Sequence, residues 1–270
     1  VSSPSIAEGG ELVFDVKLDH SSTTTTLVNL NLANGSGTVG TDTSSYKVSF
    51  DNGLTYVDVV GSSISVPAGT VDIKIQVTTV NDNLVEGDET ITLTAKSEFE
   101  TSGAGQTGTG TILDNDSATL SVTPALNNVS VSEGSAADFT VKLSNPSATD
   151  TTVTLNLITN GAAGNASATD VGGLQYKDGS GNWVNVPANG QVTIAAGQTD
   201  VIVRVPTTQD GVYEGKENFT LQATVNGATV SGQGSIIDDG TGTIPPGQPG
   251  TPDNDQPKVA SVSSPSVLEG

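Results

Sequence analysis

The segment VDIKIQVTTVNDNLVEGDETITLTA, residues 71–95, holds two strands and the loop between them. Val71, Ile73, Ile75 and Val77 alternate with Asp72, Lys74 and Gln76. After an acidic interval, Ile91, Leu93 and Ala95 alternate with Thr90, Thr92 and Thr94. A period of two sends successive side chains to opposite faces, the pattern of strands buried on one side. The design returns in TDVIVRVPTTQDGVYEGKENFTLQAT, residues 199–224, where Asp82 is matched by Asp210 and Glu86-Gly87 by Glu214-Gly215.

Working outward, other segments keep the same period. In LVFDVKL, Leu12, Phe14, Val16 and Leu18 alternate with Val13, Asp15 and Lys17, and Phe139, Val141 and Leu143 do so in DFTVKL. No stretch has a helical period. Asp51-Asn52-Gly53 before Tyr56 and Asp178-Gly179 before Trp183 are matching hairpin signals. Short Thr- and Val-rich strands at this spacing predict an all-β fold of two antiparallel, Ig-like β-sandwiches joined end to end.

The repeats set the boundaries. VSSPSIAEG at 1–9 returns as VSSPSVLEG at 262–270, and within that unit VSVSEG ends at Gly134, so that Glu8 is matched by Glu133. Domain one is read as residues 1–116, closing in TILDND, and domain two as 117–240, closing in SIIDDG. Residues 241–256 form a Pro/Gly-rich linker, and 257–270 start a third domain. A Met-free chain beginning at Val1 reads as a piece of a longer protein. PKVASV precedes the third SSPS, whereas nothing precedes Val1, so the first strand of domain one is expected to lack its opening. The chain is expected to be monomeric. The sequence leaves open whether residues 259–267 pair with the opening strand of another copy.

Composition removes whole classes of function. The 270 residues carry 9 Lys and Arg against 30 Asp and Glu, a net charge of −21, which argues against nucleic acid as a partner. Without Cys, thiolate metal sites are ruled out, and His20, the single histidine, argues against histidine-based zinc sites and Ser-His-Asp chemistry. No run of 18 apolar residues suggests membrane insertion. A glycosidase pair fits poorly, since the acids lie in strand-end loops and no aromatic-lined cleft is suggested. No enzyme is expected.

The acids that recur in register carry the functional signal. They are Glu8, Asp42, Asp82, Glu86, Asp114 and Asp116 in domain one, and Glu133, Asp170, Asp210, Glu214, Asp238 and Asp239 in domain two. Loops at one end of a sandwich cluster in space, and six carboxylates there repel one another without cations. A hard cation taking six to eight oxygens in flexible geometry suits such a pole, which points to Ca²⁺ rather than Mg²⁺. Glu89 and Glu217 either support this set or are plain surface. Tyr56 and Trp183 read as packing residues rather than a sugar platform, and His20 as exposed and inert. The Thr23–Thr26 run lacks the short repeat an ice-binding ladder needs. Asp253-Asn254-Asp255 is either a further calcium clamp or an acidic linker.

Taken together, the early Glu-Gly, the mid-domain Thr-Asp, the NDNLVEGDET loop and the closing ILDND resemble Calx-β domains across nearly all of both domains. The resemblance implies a sandwich of about seven strands with Ca²⁺ at one pole, held by the matching acids. Asn81-Asp82 and Gln209-Asp210 stand where the exchanger members of the family have paired acids, which implies fewer or weaker ions. One to three per domain, at roughly 10⁻⁴ to 10⁻³ M affinity, are expected. A tandem, acidic, Cys-free array resembles the extender region of a large bacterial RTX-type surface adhesin. That implies an extracellular site at the cell surface, a role in adhesion or biofilm formation, and neighbouring repeats as partners. A carbohydrate- or receptor-binding module and a Ca²⁺-sensing pair are the alternatives; an aromatic content of 4% weakens the first.

Overall fold

The computed structural model describes residues 1–123, 129–238, 257–264 and 266. Asp239, the linker 241–256 with Asp253 and Asp255, and residues 267–270 lie outside the described residues. The chain divides into Val1–Ser117 and Ala118–Gly270. Every regular element among the described residues is a strand, and none of them is a helix long and apolar enough to cross a membrane.

The first unit contains β1 (Ser5–Ala7), β2 (Glu11–Lys17), β3 (Thr26–Asn34), β4 (Thr43–Ser49), β5 (Val57–Asp58), β6 (Ser63–Val66), β7 (Asp72–Thr79), β8 (Glu89–Ser97) and β9 (Gln106–Leu113). One sheet has the order β1-β9-β8-β3-β6 and the other β2-β7-β4-β5. The second unit contains β10 (Leu120–Thr123), β11 (Val129–Ser132), β12 (Ala136–Leu143), β13 (Thr151–Ile158), β14 (Gln175–Lys177), β15 (Trp183–Asn185), β16 (Gln191–Ile194), β17 (Asp200–Pro206), β18 (Gly215–Val225) and β19 (Ala228–Asp238). Its sheets run β11-β19-β18-β13-β16 and β10-β12-β17-β14-β15. The two units thus share one topology, with β10 added to the second.

The alternation seen in the sequence becomes the core. Leu12, Phe14 and Val16 of β2 face Ile73, Ile75 and Val77 of β7, all nearly or fully buried, while Asp15 and Lys17 point to solvent. In the second unit the rings of Phe139 and Phe219 meet edge to face, with centroids 6.1 Å apart. Gly232 and Gly234 leave the space these rings need: a Cβ would stand 3.0 Å from Phe139 Cδ1 at Gly232 and would overlap Phe219 Cζ at Gly234.

The fold departs from a purely antiparallel arrangement in one pair per unit, since β1–β9 and β11–β19 are parallel. In the first unit the reason is the turn that follows β1. Gly9 has a φ of 73°, a left-handed backbone that favours glycine, and Gly10 N donates to Ala7 O at 3.1 Å. This turn carries the chain from β1 into the opposite sheet, so β1 is left beside the last strand, running the same way. Gly134, with a φ of 69°, repeats the turn. Thr79 then locks the first turn, because its N and Oγ1 both donate to Gly10 O, at 3.0 and 2.9 Å. Thr207 does the same for the second, through Ser135 O. The Glu-Gly motif is therefore a fixed turn that holds its glutamate at the end of the sandwich.

Candidate metal centres

In the first unit, four chain segments bring their acids to one pole. Glu8 lies on the turn after β1, Asp42 between β3 and β4, Asp82 and Glu86 between β7 and β8, and Asp114 and Asp116 just after β9. Backbone donors fix the loops around them. Asp114 accepts from Glu86 N and Asp116 N through its two oxygens, both at 2.8 Å. Asp82 Oδ1 accepts from Leu84 N at 2.7 Å, and Asp82 N faces Glu8 Oε2 at 3.4 Å. Asn115 Nδ2 bridges Glu8 O and Asn81 Oδ1, each at 3.2 Å. Glu8, Asp82 and Asp116 each present an oxygen within 4.8 Å of the other two. Glu8, Asp42, Asp82, Glu86 and Asp114 also line a cavity of about 10 Å³, room for one particle the size of a water or a cation.

The second unit repeats the scaffold with deeper burial. Glu133, Asp170 and Asp238 are 3%, 5% and 1% exposed. Asp238 Oδ2 accepts from Glu214 N, Asp210 Oδ1 accepts from Val212 N at 2.8 Å, and Asp210 N faces Glu133 Oε2 at 3.5 Å. Each of these bonds has its counterpart in the first unit. The oxygens that converge differ, however: here Asp170, Glu214 and Glu217 lie within 4.8 Å of one another.

The electrostatics follow from crowding like charges in partial burial. Burial raises Glu8, with Asp82, Asp114 and Asp116 adding repulsion, and it raises Glu86 with help from Asp82 and Asp42. Glu214 is raised by burial and by Asp170, Asp210 and Asp238. The largest effects fall on the two glutamates the sequence left undecided. Burial and a hydrogen bond to Asp42 push Glu89 up to about 7, and burial and a hydrogen bond to Asp170 push Glu217 up to about 7. Burial also acts to raise Asp170, but hydrogen bonds from Ser167, Glu217 and Thr169 outweigh it and the net shift is downward. Without a cation, burial and crowding thus favour a proton on each Glu–Asp pair until the pH passes about 7.

The donor set can be tested against a metal. All its side-chain ligands are carboxylate oxygens, which suit a hard cation. Asp116 Oδ2 and Asp238 Oδ1 are buried with no hydrogen-bond partner, although a buried carboxylate oxygen ordinarily finds one. Asp238 closes β19, and Asp116 lies three residues beyond β9, each at the acidic pole of its unit. An oxygen-seeking cation would satisfy both orphans, so the residues present fit such an ion.

The comparisons with known proteins agree with the geometry. The family model of the Calx-beta domain matches residues 5–116 and again 113–230. The chain belongs to the Calx-beta domain family. No curated protein matches it. Among solved structures, CBD12 from CALX1.2 is 14% identical, with 82% of this chain and 77% of that one covered at a TM-score of 0.33. The calcium binding domain CBD12 of CALX1.1 is 14% identical over 83% and 77% at 0.33. The titin domains z1z2 in complex with telethonin are 13% identical over 87% and 91% at 0.32. At such TM-scores the solved structures add nothing to the family assignment. In these Calx-beta domains the Glu-Gly turn, the Thr-Asp loop and the long acidic loop meet at one pole. The sequence signal that would have enrolled Glu89 and Glu217 is their place three residues after the paired Glu86 and Glu214, at the start of the following strand.

Proposed function

We propose that the chain is a pair of Ca²⁺-stabilised structural modules from the extender region of a bacterial cell-surface adhesin. The observation that carries the calcium reading is the pair of buried, unpartnered oxygens, Asp116 Oδ2 and Asp238 Oδ1, at corresponding poles of two diverged copies. Calcium there replaces the retained protons, satisfies the orphaned oxygens and ties together loops from four segments of each sandwich. At one to ten times the dissociation constant, the ratio that millimolar calcium gives, one ion adds about 0.4 to 1.4 kcal/mol by mass action. In a calcium-poor cytoplasm the modules are weak, and in millimolar calcium outside the cell they are firm. Asp116 is followed directly by the second domain in sequence, so ordering its loop also shortens the free chain between modules.

The extender role is supported by the higher-order repeat, in which residues 262–270 restart residues 1–9, and by the acidic, Cys-free composition. The sugar-platform alternative loses Trp183, because Arg204 stacks on its ring at 3.7 Å while holding Asp138 through two hydrogen bonds. Isothermal titration calorimetry of the chain with Ca²⁺ and Mg²⁺ tests the calcium reading. Calcium-selective binding in the roughly 10⁻⁴ to 10⁻³ M range is expected, with Asp116→Asn removing the share of one pole and Asp238→Asn that of the other. Absence of calcium-selective heat, or variants that titrate like the parent, would refute it.

A further inference from the structure

Asparagine followed by glycine carries a reaction of its own. With no side chain to shield it, the glycine backbone nitrogen can reach the asparagine carboxamide carbon and close a succinimide ring, one reason asparagine is a thermolabile residue. The chain has five such pairs: Asn34-Gly35, Asn52-Gly53, Asn160-Gly161, Asn189-Gly190 and Asn226-Gly227. The reaction needs the glycine N–H free, because a nitrogen held as a hydrogen-bond donor must first break that bond before it can lose its proton and turn onto the carboxamide.

Four of the five pairs are held. Gly35 N donates to Thr90 O at 3.0 Å, Gly53 N to Ser49 Oγ at 2.8 Å, Gly161 N to Ala166 O at 3.1 Å and Gly190 N to Pro187 O at 2.8 Å. Three of their carboxamides are fixed as well: Asn34 Oδ1 accepts from Val39 N, Asn160 Oδ1 from Ala162 N and Asn189 Oδ1 from Gln191 N. Asn226-Gly227 differs. It is the whole loop between β18 and β19, whose ladder closes with Val225 opposite Ala228. Asn226 has a φ of 48° and Gly227 one of 83°, the two left-handed residues of a type I′ turn. The hydrogen bond of such a turn joins the residues on either side and leaves the central N–H groups out. Among the described residues, neither Gly227 N nor the Asn226 carboxamide has a protein partner. Both residues are exposed, and nothing stands within 4 Å of the place a Cβ would take on Gly227.

We propose that Asn226 is the preferred site of spontaneous deamidation in the folded chain. Gly227 N gives its proton to solvent base and attacks Asn226 Cγ; the Cγ–Nδ2 bond breaks and ammonia leaves. Water then opens the succinimide. Cleavage of its bond from Gly227 N to Cγ leaves aspartate, and cleavage of the bond to the backbone carbonyl carbon leaves isoaspartate, with the main chain running through Cβ and Cγ. One water is consumed and one ammonia released, and no other reactant is needed. Either product adds one negative charge. Aspartate still suits the left-handed position, whereas isoaspartate lengthens a two-residue loop by one backbone carbon and loosens the end of the ladder at Val225 and Ala228. Gly215 and Asp238 pair at the other end of the same ladder, so the site is separate from the acidic pole and stands whether or not calcium binds there.

The test is to incubate the unsubstituted, folded chain for weeks in mildly alkaline buffer and to follow each Asn-Gly peptide by mass spectrometry, with an isoaspartyl methyltransferase counting the isoaspartate. The same chain unfolded in guanidinium chloride is the reference, in which all five pairs are expected to react at comparable rates. In the folded chain Asn226 is expected to react about tenfold faster than each of the other four, the cost of first opening one hydrogen bond in each of them. Ser49→Ala removes the acceptor that holds Gly53 N and is expected to speed Asn52 by about the same factor while leaving Asn226 unchanged. Loss led by another pair in the folded chain, equal rates across the five, or an Asn52 rate that does not move in the folded Ser49→Ala variant would each overturn the assignment.

Discussion

Raising the pH of the metal-free chain from 5 to 8 is expected to weaken it, and the cause lies in two glutamates. Glu89 and Glu217 are pushed from 4.5 up to about 7 in the folded chain by burial and by their hydrogen bonds to Asp42 and Asp170. A raised pKa means that folding favours the protonated acid. The stabilisation is complete below about 4.5, where the unfolded chain also holds the proton, and is lost as the pH rises through about 7. A shift of about 2.5 units sets a ceiling near 3.4 kcal/mol per group. Both side chains remain partly open to solvent, whose screening reduces this to about 1–2 kcal/mol each. For domains of this size that corresponds to a fall of roughly 5–10 °C in melting temperature. Asp51, Asp170 and Asp178 are shifted downward instead, so their contributions change below pH 4 and do not mask the effect. The assay is calorimetry of chelator-treated protein at half-unit steps. Glu89→Gln/Glu217→Gln, which keeps a donor toward each aspartate, is expected to remove most of the slope, leaving the smaller share of Glu8, Glu86 and Glu214, which are also raised, and to raise the melting temperature at pH 8. A metal-free curve that is level or rises from pH 5 to 8, or a double variant that falls as steeply as the parent, would refute the reasoning.

Two further outcomes follow from the packing and the turns. Phe219→Ala removes one of the paired rings at the centre of the second core and is expected to cost about 3–5 kcal/mol, read as a lower midpoint in urea for that unit's transition alone. Trp183, the single tryptophan, lies in the same unit and reports it by fluorescence. Gly9→Ala forces a side chain into a left-handed turn, with its Cβ 3.0 Å from Asn81; it is expected to cost about 1–2 kcal/mol and to weaken calcium binding at the first pole by displacing Glu8.

The strands were legible because Leu12, Phe14 and Val16, or Phe139, Val141 and Leu143, alternate without interruption, and one buried face imposes that pattern. The convergence of the acids was legible because the two diverged copies keep them in register. Four things were not. The parallel placement of β1 depends on a turn at Gly9 that no periodicity records. The deeper burial of Glu133, Asp170 and Asp238 relative to their partners in the first unit depends on packing around identical residue types. The role of Glu89 and Glu217 depends on their proximity to Asp42 and Asp170 across the loops, and the sequence shows only two more acids near strand starts. The stacking of Arg204 on Trp183 was likewise invisible, since the two residues meet only when β15 and β17 join the same sheet.

The central claim, that the acidic poles are calcium sites that hold the modules folded, is tested most directly by thermal unfolding in EDTA and in a calcium series, with magnesium as the control. The account predicts a calcium-selective rise in melting temperature of several degrees, which Asp82→Asn/Asp210→Asn removes while leaving the EDTA value equal to or above that of the parent. Identical melting in EDTA, magnesium and calcium would contradict it.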